Sequence, residues 1–197
     1  MLVNHSFLCN LVKLFLMNFV ALDFETANYL RTSACALGVA VVQDSKIVAT
    51  REWLIKPEPS FFQFTYIHGI TEYDVQDAPT FPQIWKELKD IIDYQTLVAH
   101  NASFDMGVLR SLFQHYDLVA PKSQYHCSLQ IAKRTWRNLS AYNLKAMADF
   151  LNVELQHHNA LSDTLACAKI ILAAGLHLQT NNLVDLRHKL SIKIKDL

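Results

Sequence analysis

At 197 residues the chain has the length of one domain, or of one domain with appendages. Hydrophobic residues make up 51% and charged residues 18%, which excludes a disordered chain and supplies a core. Lys plus Arg and Asp plus Glu number 18 each, so the basic footprint of a tight duplex binder is absent, while an enzyme that holds nucleic acid locally and briefly is not excluded.

Residues 1–16, MLVNHSFLCNLVKLFL, are apolar but interrupted by Asn4, His5, Asn10 and Lys13. They hold no clean apolar span of the roughly 20 residues a membrane crossing needs, and none is expected. A secretory signal would want a positive start and a small-residue cleavage site, and both are missing. Met17 is therefore expected to be the natural start and 1–16 an added extension; the alternative is a short helix packed on the domain. FVALDFETA, Phe19 to Ala27, reads as a buried strand, and ACALGVAVV, Ala34 to Val42, as a second. KIVATREWLIK, Lys46 to Lys56, follows across the turn-like QDS, completing an expected antiparallel meander that Pro57 and Pro59 end. TFPQ, Thr80 to Gln83, is a capping box with Pro82 in the first turn, and Ile84, Leu88, Ile91 and Ile92 keep helical spacing behind it. TLVA, Thr96 to Ala99, predicts a short strand, and Ser103 predicts the cap of a helix carrying Val108, Leu109, Leu112 and Phe113. Leu144, Met147, Ala148 and Leu151 mark another helix, and a last one is predicted from about Ala160 to Ala174, ended by Gly175. Residues 176–197 are more polar and basic and read as a terminal helix or a tail. Strands first, then strands alternating with helices, predict one α/β domain whose mixed sheet is flanked by helices. Cys9, Cys35, Cys127 and Cys167 form no CxxC or metal spacing, so no disulfide framework and a cytoplasmic location are expected.

Asp23 and Glu25 stand two apart in the first strand, so they share a face, with Phe24 turned the other way. Two carboxylates that close repel and are costly to desolvate; either this strand end is solvated or it holds a metal. Asp105 lies just past the TLVA strand, in the first turn of a predicted helix, and Asp163 lies in the first turn of another. Each alone has a plainer reading, as a charge favoured at a helix N-terminus by ~0.3–1 kcal/mol. Clefts in open α/β sheets form at the carboxyl ends of strands, where all four could converge. His158 and Asp163 would lie about 140° apart on one continuous helix. A shared role needs His158 on the preceding loop, and Asn159 is placed to cap the helix there. Four carboxylates suit hard ions such as Mg²⁺ or Mn²⁺ rather than Zn²⁺. Two such ions about 3.5–4 Å apart are the standard arrangement for phosphodiester hydrolysis, and an imidazole of pKa ~6.5 suits the base.

DFET at 23–26, HNASFD at 100–105 and HHNALSD at 157–163 resemble, in order and spacing, the three motifs of the DEDDh exonucleases. This is the DnaQ-like family that includes the epsilon proofreading subunit of bacterial DNA polymerase III. HGIT at 68–71, with Ala78, Pro79 and Phe81 after it, is similar too, and the resemblance runs from about Met17 to Ala174. It implies a ribonuclease-H-like fold over an exonuclease domain of residues 17–175, outside which lie 1–16 and 176–197. It implies that Asp23, Glu25, Asp105 and Asp163 hold two divalent ions, Mg²⁺ or Mn²⁺, and that His158 is the general base. The implied activity is 3′→5′ removal of nucleotides from single-stranded or frayed 3′ ends, releasing nucleoside 5′-monophosphates. DNA and RNA both stand as substrates, and a polymerase or other replication or repair subunit as a partner. None of the five positions is substituted.

Candidate substrate contacts are Phe24 and Thr26 beside the carboxylates, Asn101 in the cleft and Phe104 as a stacking platform. Phe24 and Phe104 have core packing as their plain reading, and Asn101 a loop-and-cap role. The stretch from Ala132 to Lys145 interleaves Lys133, Arg134, Arg137 and Lys145 with Trp136 and Tyr142, either as a backbone-binding surface or as a solvated helix face. His157 is expected at the surface, and His68 and His100 outside the site. Two rival functions stand: a metal-dependent endonuclease, and a non-catalytic adaptor that binds nucleic acid or a polymerase.

Overall fold

The computed structural model describes residues 16–58, 60–180 and 182–197. The expectation for 1–16 falls, except for Leu16, outside the described residues. In chain order the elements are β1 Phe19–Thr26, β2 Ala34–Gln43, β3 Lys46–Leu54, α1 Thr65–His68, α2 Phe81–Ile92, β4 Thr96–Ala99 and α3 Asp105–His115. Then follow β5 Gln124–Cys127, α4 Ser128–Thr135, α5 Leu144–Leu151, α6 Ala160–His177, α7 Leu183–Lys189 and β6 Lys195–Asp196. The strands form one sheet in the order β3-β2-β1-β4-β5-β6. β1, β2 and β3 pair antiparallel, β4 and β5 run parallel to β1, and β6 returns antiparallel to β5. This mixed sheet with helices on it is the ribonuclease-H-like α/β architecture expected.

The two faces of β1 sort the core. Val20, Leu22 and Phe24 pack with α2 and α3 through Ile84, Leu88, Met106 and Leu109. Phe19 and Ala21 pack on the other face with Cys167 and Ile171 of α6 and Leu186 of α7. β2, covered on both faces, is buried almost throughout, whereas β3 is an exposed, charge-bearing edge. α6 is long and apolar enough to cross a membrane by length and composition, but it packs against β1, β2, α4 and α5 inside the domain. Because β1 and β4 are parallel, their carboxyl ends open on the same edge of the sheet, where a cleft forms.

Several local expectations are corrected. Ser103 does not cap α3; Phe104 occupies the N-cap with no side-chain bond, and the helix opens on Asp105 itself. Gly175 does not end α6, which runs to His177 with Gly175 buried inside it. The stretch from Ala132 to Lys145 is split among α4, a loop and the start of α5. Trp136 packs edge-on to Phe150 at 5.7 Å, and the Tyr142 hydroxyl donates to the Trp136 carbonyl, so its aromatics serve packing.

Candidate active site

Asp23 pairs across the ladder with Gly38 of β2. A Cβ at position 38 would lie 2.3 Å from the Ala160 carbonyl oxygen, so only glycine lets the first turn of α6 descend onto the sheet here. That descent brings Asp163 over β1. Carboxylate oxygens of Asp23, Glu25 and Asp163 all lie within 4.8 Å of one another. Asp105, 1% exposed, comes in from the start of α3 and accepts the Phe24 amide proton at 3.1 Å. That bond ties strand to helix beside the other three carboxyls, close enough for the Asp105 charge to act on Asp23 and Glu25.

Burial and mutual repulsion make the charged forms of these groups costly. Burial, then the charges of Asp105, Asp163 and Glu25, raises the Asp23 carboxyl well above the usual carboxylate range. Glu25 is pushed up to about 8 by burial, then by Asp163 and Asp105. Burial raises Asp105 to about 7 against the pull of its bond from Phe24, and raises Asp163 against bonds from His158 and His157. Among the described residues no Lys or Arg forms an ion pair with any of the four. An all-oxygen donor set without a built-in cation fits hard divalent ions, and Asp23, Glu25, Asp105 and Asp163 are the groups that would hold them.

The loop before α6 presents two imidazoles. Asn159 caps the helix by accepting the Ser162 amide proton at 2.9 Å, and the Ser162 hydroxyl accepts from the Gln156 amide at 2.8 Å. His158 sits at φ 66°, and its backbone N–H donates to Asp163 Oδ2 at 3.1 Å. That left-handed turn folds His157 back, so its Nδ1 lies 3.2 Å from Asp163 Oδ2. The two rings stack with centroids 3.9 Å apart. His158 lines a small cleft together with His68, Glu52 and Gln156. Burial, then His157, lowers its pKa, which favours the neutral imidazole a base needs. His157, expected at the surface, is exposed but bonded to Asp163 all the same.

His68, expected outside the site, has its Nε2 3.2 Å from the Thr26 carbonyl. Its Nδ1 accepts from the Ile70 amide at 3.0 Å, so Nε2 carries the proton and donates to Thr26. The HGIT motif was the signal for this residue. His100, held at about 4 by burial, is bonded to Ser128 and the Tyr142 carbonyl and is structural. Of the proposed substrate contacts, the Phe24 ring is 2% exposed in the α2–α3 core and offers a nucleotide only its backbone. Thr26 is buried, Asn101 is exposed at φ 64°, and Phe104 is 37% exposed at the α3 entrance.

The family model described as Exonuclease matches residues 20–171. This chain belongs to the exonuclease family. Its exonuclease domain is 29% identical over 158 residues to the PolC-type DNA polymerase III of Caldanaerobacter subterraneus subsp. tengcongensis, covering 78% of this chain. It spans only 11% of that polymerase's length. Among solved structures, exonuclease X in complex with 5′-overhanging duplex DNA superposes with a TM-score of 0.65 at 26% identity, over 80% of this chain and 90% of that one. The nuclease domain of 3′hExo, a DEDDh family member bound to rAMP, gives 0.69 at 19% identity, over 85% and 95%, and shows the shared fold. The DnaQ-like family read from the three motifs is thus the family to which the exonuclease domain belongs.

Proposed function

We propose that this exonuclease domain is a two-metal-ion 3′→5′ exonuclease that shortens single-stranded or frayed 3′ ends and releases nucleoside 5′-monophosphates. The observation that carries the reading is the convergence of Asp23, Glu25, Asp105 and Asp163, from β1, α3 and α6, with no Lys or Arg ion pair among the described residues. When bound there, Mg²⁺ or Mn²⁺ would supply an activated water and stabilise charge on the phosphate and the leaving oxygen. His158 takes the proton of the attacking water, and Asp163 fixes the His158 backbone through its amide bond. His157 holds Asp163 at the same Oδ2. Phe104 and Asn101 at the cleft mouth meet the terminal nucleotide, with Thr26 beside the carboxylates. Exonuclease X was solved with DNA and 3′hExo with rAMP, which supports testing both strands. The likeness to PolC-type polymerases supports delivery of substrate by a polymerase partner.

The test is digestion of 5′-labelled single-stranded DNA and matched RNA with Mg²⁺ or Mn²⁺, with His158→Ala and Asp163→Ala beside the wild type. A metal-dependent ladder shortening by one nucleotide is expected, lowered on the order of 10²–10⁴-fold by His158→Ala, the usual worth of a general base. Internal fragments would make the enzyme an endonuclease, and no cleavage of either strand would leave an adaptor.

A further inference from the structure

The carboxyl end of β5 borders a cavity of about 190 Å³, room for a phosphate group and several waters. β6 covers only the first half of β5, pairing at Gln124 and Tyr125. Beyond that pairing the strand edge stays open, and Asn101, Ser103, His126, Lys133, Lys193 and Lys195 line the opening. Two features suit the opening to an anion. Three lysines from two separate segments meet there, and no carboxylate stands among the described residues that line it. The wall includes the first turn of α4, whose N-cap Cys127 makes no side-chain cap, leaving amide donors for an anion. His126, 2% exposed, is a further lining residue. Lys195 also lies 5.9 Å from the centre of the Tyr125 ring, which holds its ammonium near the opening.

The position says which anion. The loop 101–104 that walls the cavity ends on Asp105, so the carboxylate cluster and the lysine pocket share one loop. A nucleic-acid strand whose end reaches the carboxylates carries a phosphate at every nucleotide, and its next phosphates pass this loop. We infer that the pocket binds a backbone phosphodiester of the strand being degraded, and so is a second strand-holding site. Two of its lysines come from residues 193–195, beyond the 20–171 matched by the family model. The inference rests on the nuclease reading of the neighbouring cleft. A neutral chain with an acidic reaction centre needs local positive charge to retain a polyanion, and this pocket supplies it.

The experiment measures anisotropy of a labelled 12-nucleotide single strand in EDTA across a salt series, so that no turnover enters. Lys193→Gln/Lys195→Gln is compared with wild type and with Lys46→Gln/Lys89→Gln, an equal charge change on β3 and α2. The pocket variant is expected to bind about 10-fold more weakly, with a salt slope smaller by about 1.4, from about 0.7 per lysine on single strands. The control variant is expected to match wild type. Competition with a nucleoside 5′-monophosphate separates the sources of phosphate: weak competition supports the strand, while displacement at equal concentration would reassign the pocket to free nucleotide and overturn the inference. Equal affinities and slopes in all three proteins, or no strand binding by wild type, would also overturn it. If the pocket variant loses binding while wild type shows no hydrolysis under any metal, the nuclease reading fails and the pocket stands.

Discussion

An asparagine at position 105 would keep the acceptor for the Phe24 amide while removing a charge that burial makes costly. Asp105→Asn is therefore expected to raise the melting temperature of the metal-free protein at pH 8 while lowering hydrolysis at least about 100-fold, read by calorimetry and by the ladder assay. The pH sign follows from the raised values, about 7 for Asp105 and about 8 for Glu25. The fold binds protons that the unfolded chain has released, so metal-free stability falls as pH rises from the ordinary carboxylate range through 8. Added Mg²⁺ should thus raise the melting temperature more at pH 8 than at pH 6; an equal rise at both would count against the cluster as the binding site. For the imidazoles, the lowered pKa of His158 puts the acid limb of the rate below about 6.5. His158→Ala should abolish that limb, whereas His157→Ala should keep it and lose roughly 10-fold in rate through a looser Asp163. The offset of His158 from Asp163 was legible in the sequence. The bond from His157 was not, because it depends on the left-handed turn at His158, φ 66°.

Between elements, the decisive contact is that of α6 with β2 at Gly38. Gly38→Ala would meet backbone, not a flexible side chain, so the helix start must move and carry Asp163 with it. A stability loss of about 1–3 kcal/mol is expected in urea melts, with a larger proportional loss of activity. A variant with full activity would show that the helix can settle elsewhere without harm. Periodicity made β1 to β4, α2, α3 and α5 readable, because each carries a long apolar face or a capping signature. β5, QYHC, has four residues and two polar ones, and its strand character comes from pairing with β4. The end of α6 escaped for a similar reason. Gly175 signals a stop locally, yet packing holds it inside the helix, and its carbonyl accepts the Thr180 amide at 3.0 Å only past the true end.

At the scale of the whole molecule, residues 176–197 belong to the fold. Leu186, Leu190 and Ile192 pack with Phe19 and Ala21 of β1, and β6 extends the sheet. Leu186→Ala is expected to cost about 2–5 kcal/mol in chemical denaturation, as for other buried leucines; a loss below about 0.5 would mark the segment as loosely attached. Its polar, basic composition gave little local sign of this, since the strand pairing joins positions about seventy residues apart. The four acidic positions and His158 stood out because three short motifs preserve them in order, whereas the lysine pocket is assembled only by the chain's return. The proposed hydrolysis requires these carboxyls to hold divalent cations. Calorimetric titration with Mn²⁺ at pH 7, in two buffers of different protonation enthalpy, tests this directly. Binding with release of at least one proton is predicted, since ions displace the protons that burial keeps on Glu25 and Asp105. Loss of binding in Asp23→Asn/Asp105→Asn would complete that result. Undiminished Mn²⁺ binding in the double variant, or no binding by the wild type, would contradict it.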